Sequence, residues 1–220
     1  MKTLKKTVLA FFASSTLLCG TALADSPLSS IDFTTPYTEF EFVRKAGEET
    51  QQKTLKELTN EQAKFLTSDD VPVGARAAMV NALGWNTNTQ SNATLFLNYL
   101  QNKDVNTAIT VTPTAVLATA SPENMALYAY LLAHEDHWNM VTPLAWAQIA
   151  AKQKPQSLTI NMIEAILYAQ NFQDKESQWC NAYKKADKIR NDINLNRDLK
   201  EEAIKHIFEY IGLYQNYCKQ

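Results

Sequence analysis

Residues 112–152 read TPTAVLATASPENMALYAYLLAHEDHWNMVTPLAWAQIAAK, and three dipeptides in them, Thr112-Pro113, Ser121-Pro122 and Thr142-Pro143, share one grammar. Each places a hydroxyl that can cap free N–H groups just before a proline at the first helical position, where the missing N–H costs nothing. Helices over 113–119, 122–135, 143–152 and 156–171 follow. The loops between them are short enough to force neighbouring helices to run antiparallel.

Working outward, the same punctuation continues. Gly84 closes an alanine-rich helix over 75–83, because glycine accepts the positive φ of a helix C′ residue. Helices are expected over 37–58, with a pause at Gly47, over 60–67, and over 91–102. Residues 25–36 mix Ser, Thr and Pro without periodicity and are read as an extended arm. At the far end, Trp179, Tyr183, Ala186, Ile189 and Ile193 share one helical side. Leu199, Ala203, Ile207, Ile211 and Tyr214 share another, so the last two helices are expected to pair as a hairpin about Asn194–Asn196.

Composition agrees. Of 220 residues, 45% are apolar and 20% charged, with 5 Gly and 7 Pro, too few for turn-dense β architectures or glycine-rich phosphate cradles. The expected class is all-α in antiparallel pairs, either an α-solenoid or an irregular bundle. Thr112-Pro113 and Thr142-Pro143 lie 30 residues apart, which favours helical repeats, but the tetratricopeptide pattern is absent.

The N-terminus carries an export signal. Lys2, Lys5 and Lys6 precede an apolar run from Val8 to Leu18, and Ala22-Leu23-Ala24 suits a signal peptidase. Cleavage after Ala24 would send the chain to the periplasm or outside the cell. The run is short of the ~20 residues that span a bilayer, and Leu18 is a poor neighbour for lipid attachment at Cys19. Without the leader, 18 Lys and Arg face 23 Asp and Glu, a net charge of −5. With no basic stripe, nucleic acid is not an expected partner.

In an oxidising compartment Cys180 and Cys218 form the expected disulfide. A turn centred near 195 makes Cys218 overshoot by ~12 Å at 1.5 Å per residue, whereas a bridge needs Cα atoms within roughly 7 Å. A bend at Gly212, or a turn nearer 199, would reconcile the two.

Chemistry-bearing constellations are few. No Gly-x-Ser-x-Gly elbow occurs. His134-Glu135-Asp136-His137 sets two imidazoles at i and i+3, a pair that could grip a metal if His206 or Glu202 supplied a third ligand; a solvated helix end explains the same residues. Ser157, Asn161, Glu164, Tyr168 and Asn171 form a polar stripe that could line a peptide groove or simply face solvent. Trp138, just past a helix end, is a candidate contact for a partner. The resulting expectation is an exported, non-enzymatic helical protein that binds another protein or peptide through Asn161, Glu164, Tyr168 or Trp138, without a cofactor. The alternative is a metal-binding protein or metal-dependent enzyme centred on His134 and His137.

Overall fold

The computed structural model describes residues 26–52, 57–85 and 90–219; the expected leader and its expected cleavage site after Ala24 lie outside them. Among the described residues every regular element is helical, and the only extended pairing is an isolated bridge between Ser157 and Asn196. No helix among them is long and apolar enough to cross a membrane.

The proline grammar holds at two of its three sites. Thr112 caps α6 (Pro113–Leu117) and Ser121 caps α7 (Pro122–Glu135), each through its hydroxyl with proline at the helix start. At the third, α8 (Val141–Gln153) begins before the dipeptide, on Met140, and Pro143 sits inside its first turn. That turn's N–H groups have no intrahelical acceptor, so the ring removes nothing. Ser157, expected inside the next helix, instead caps α9 (Leu158–Asn171), which starts two residues later than read.

The N-terminal segment corrects its reading as an extended arm. Ser26 and Ser29 form a reciprocal cap around α1 (Pro27–Ser30), and a 3₁₀ turn covers Thr35–Tyr37. Leu28, Ile31, Phe33 and Tyr37 are all buried, which explains why so polar a stretch is ordered. Beyond it, α2 (Glu41–Gln51) starts later than expected, because Tyr37 is spent in the core, and it runs through Gly47 without a pause. A Thr59–Gln62 capping box opens α3 (Asn60–Thr67). The next helix, α4 (Val73–Leu83), ends on Gly84 at φ 63°. Gly74 lies so close to Tyr37 that a Cβ would stand 2.2 Å from the phenol oxygen, so only glycine fits there. Ser91 caps α5 (Asn92–Asn102).

The packing distinguishes bundle from solenoid. In a solenoid each repeat touches only its neighbours. Here α7, α8, α9 and α10 (Glu176–Arg190) do pack in succession, but α4 and α5 also lie on α7, and α1 packs on both α9 and α11 (Glu201–Ile211). The first and last α-helices of the described residues therefore meet across one core, and the fold is an irregular helical bundle. Two amides, half-buried Asn81 and buried Asn98, and the half-buried carboxylate of Asp198 fasten the non-helical segments to it. Asn81 accepts from Phe33 N and donates to Ile31 O; Asn98 donates to Val105 O and accepts from Ile109 N. Asp198 accepts from Ser157 Oγ and Thr159 N, closing the start of α9.

At the C-terminus, α10 rests on α9 and on a strap, Gly212–Lys219, and touches α11 less extensively. The hairpin of α10 and α11 is thus looser than the periodicity suggests, since the chain leaves the α-helix at Gly212 and lays its last residues along α10. This bend removes the overshoot: Cys180 and Cys218 are joined by a disulfide with Cα atoms 4.8 Å apart.

Candidate functional site

The corner between α7 and α8 gathers three of the residues singled out from the sequence. Its first determinant is Glu135, the last residue of α7, whose carboxylate turns away from the corner and accepts from Ser91 Oγ (2.7 and 2.8 Å) and Ala93 N (2.8 Å). The negative charge sits on the positive end of α5, where free N–H groups and the helix dipole favour it. With α7 pinned there, the chain turns through Asp136, which accepts from the backbone N–H of Trp138 at 3.2 Å. Gln170 of α9 then holds the turn from below: its Nε2 donates to His137 O (3.1 Å) and its Oε1 accepts from Leu28 N (3.2 Å).

Aromatic packing completes the corner. His134 is buried against Tyr130 (centroids 4.9 Å apart) and Trp85 (5.7 Å), and His137 lies edge-on to Trp85 (4.4 Å) and beside Trp138 (4.7 Å). Neither ring nitrogen of His134 has a hydrogen-bond partner. Burial alone pushes its pKa down to about 4, so the imidazole is neutral near pH 7. The adjoining Tyr130 phenol is likewise pushed up by burial, an effect only partly offset by its hydrogen bond with Asn81.

Above this support, Trp138 is 72% exposed and Val141 75% exposed. Ala145 and Ile149 follow at helical spacings of four, also exposed. The opposite face of α8 buries Pro143, Ala147 and Ala150. The buried positions are small, Leu144 and Trp146 are half-buried against the core, and Val141 and Ile149 are left outside. Small inward residues let α8 approach its neighbours closely; the outward ones form an apolar face with Lys152 as the charged group near its end.

The other sequence candidates are placed differently. His134 and His137 do not share a helical face, because α7 ends at Glu135 and His137 belongs to the turn. His206 pairs with Glu209 at 3.0 Å, Glu202 is exposed on α11, and among the described residues no three His, Cys, Asp or Glu side chains come together as a metal site. The polar stripe does not line an open groove. Glu164 is buried and paired with Lys185 of α10 at 2.6 Å, while the same ammonium lies over the Tyr168 ring at 5.5 Å. Asn161 spends its amide on Pro155 O and Ser157 O, reinforcing the start of α9. α10 covers what a helix-wheel reading of α9 alone left open.

Sequence reasoning missed Val141, Ile149, Glu135 and Gln170. The first two carry a local signal, a spacing of four opposite an alanine face; Glu135 and Gln170 act over long sequence separations, so no local pattern marks them. No protein-family model, curated protein or solved structure matches this chain.

Proposed function

We propose that this is an exported, non-enzymatic helical protein that binds another protein through the apolar face of Trp138, Val141, Ala145 and Ile149. The observation that carries the reading is the exposure of Trp138 and Val141, 72% and 75%, above a rigidly built corner. Large apolar side chains left in water cost roughly 25 cal/mol per Å² relative to a buried state, so a partner covering them gains directly. Preorganisation adds to this: Glu135, Gln170 and the Trp85 stack fix the corner before any partner arrives, which limits the ordering cost of association. A large, rigid indole flanked by aliphatic residues has the make-up of an interface hot spot. Export is supported by the lysine-rich start, apolar run and Ala22-Leu23-Ala24 of the leader.

Two measurements test the reading. The mass of native protein should correspond to a chain beginning at Asp25, and a chain still carrying its leader would refute the export half. For binding, a protein recovered by the mature chain from an envelope extract should be lost when Trp138→Ala and Val141→Ser are combined. It should be retained by Ile193→Ser, which alters an equally exposed aliphatic residue away from α8. Equal recovery by all three proteins would refute the α8 face as the contact.

A further inference from the structure

The C-terminal strap is fastened differently from the rest of the molecule. It lies on α10 and α11, it has 3₁₀ geometry, which is poor in hydrogen bonding and persists only when held by contacts, and among its described side chains only Tyr214 is buried. Its support is aromatic: Tyr210 of α11 meets the edge of Tyr214 at 5.8 Å, and Trp179 of α10 holds two of its rings. Trp179 stacks on Tyr214 (centroids 5.1 Å apart, planes at 15°) and meets the edge of Tyr217 (4.6 Å), while its own Nε1 donates to Phe172 O and Gln173 O at the end of α9. The indole belongs to the bundle, and the two tyrosines belong to the strap. Between these parts runs the covalent bond Cys180–Cys218, one sulfur next to Trp179 in sequence and the other in the strap. Both cysteines are half-exposed, so a thiolate can reach them.

From this arrangement we infer that the disulfide is a reducible latch: exchange with a dithiol frees the strap and bares the aromatic face of α10 around Trp179, while the bundle stays folded. The chemistry is ordinary exchange. A thiolate of the dithiol attacks one of the two sulfurs, forming a mixed disulfide and releasing the other cysteine as a thiolate that takes up a proton. The second thiolate of the reductant displaces the remaining cysteine, which is protonated in turn. Two electrons and two protons pass to the protein, and the reductant leaves as its own disulfide.

The separation of strap from bundle follows from position. The strap packs on α10 and α11, and among the described side chains the core around α7 and α9 takes none from beyond Tyr214. Such a segment is a local unit that opens with far less free energy than the whole fold. Once it lifts, the indole loses both tyrosines and its half-buried face meets solvent. The reduced form would then present a second aromatic surface that the oxidised form hides.

The test uses the mature chain, oxidised or treated with dithiothreitol, and follows chymotryptic cleavage after Tyr214 and Tyr217 beside hydrogen exchange in α7–α9. Reduction should raise the cleavage rate about 100-fold, with exchange in α7–α9 unchanged. Cys218→Ser and Cys180→Ser should each reproduce the open behaviour without reductant. Unchanged cleavage in the reduced protein and both variants would mean that stacking alone holds the strap. Exchange rising throughout α7–α9 would mean that the bond staples the entire fold. Either result overturns the inference.

Discussion

Two helices of this bundle carry apolar side chains that the core does not take, and the molecule treats them in opposite ways. On α10, Trp179 is covered by the chain's own last residues, and a disulfide keeps the cover in place. On α8, Val141 and Ile149 stay 75% and 40% exposed among the described residues. The difference lies in what faces inward. Pro143, Ala147 and Ala150 are the buried residues of α8, with Leu144 and Trp146 half-buried against the core beside them, whereas α10 buries Ala182 and Ala186 and holds its large ring at the seam with the strap. A fold able to shield one aromatic ring with its own tail leaves the other face open, and that openness is what a binding surface requires.

The contrast can be broken most strongly by acid, because the corner beneath the open face contains His134 and the strap has no comparable group. The folded state keeps this imidazole neutral down to about pH 4, while in the unfolded chain it titrates near 6.5. As pH falls through that window the unfolded state takes up the proton first, so stability declines between 6.5 and 4 and the loss is complete below the folded value. The expected loss is about 3 kcal/mol, read by denaturant unfolding at a series of pH values. His134→Phe should flatten that part of the profile, and an unchanged slope in the variant would assign it to other groups.

Next in size is Gln170→Leu. It keeps the shape but strips Leu28 N and His137 O of their partner, at a cost of about 2 kcal/mol. Exchange of the Leu28 amide should quicken in the same variant. Ala147→Leu tests the inward face of α8: overpacking should cost about 1–2 kcal/mol, visible as a lowered Tm. The smallest effect is expected outside, where Val141→Ser should change stability by less than about 0.5 kcal/mol. A large loss there would show that Val141 supports the fold and would remove it from the binding face.

Much of the bundle is legible one turn at a time. Ser91, Thr112 and Ser121 cap the helices they precede, and Gly84 ends the helix before it, because capping is a contest among four or five consecutive residues. The N-terminal segment is not legible that way: Phe33 and Tyr37 are ordered by α4, whose Asn81 and Gly74 lie some forty residues further on. The same holds for the binding candidates. Glu164 and Tyr168 lie on one side of α9 as their spacing requires, but whether that side meets water depends on Lys185 in another helix. Trp138 escapes the difficulty because it stands in a turn, where no neighbouring helix is laid across it.

One glutamine sets the order in which this molecule can be finished. The amide of Leu28 waits for a side chain 142 positions downstream, and that same side chain secures the carbonyl of His137. Loops of such length close late and at an entropic cost. A chain released from its beginning therefore closes the contact that secures the Trp138 turn only once residue 170 is free.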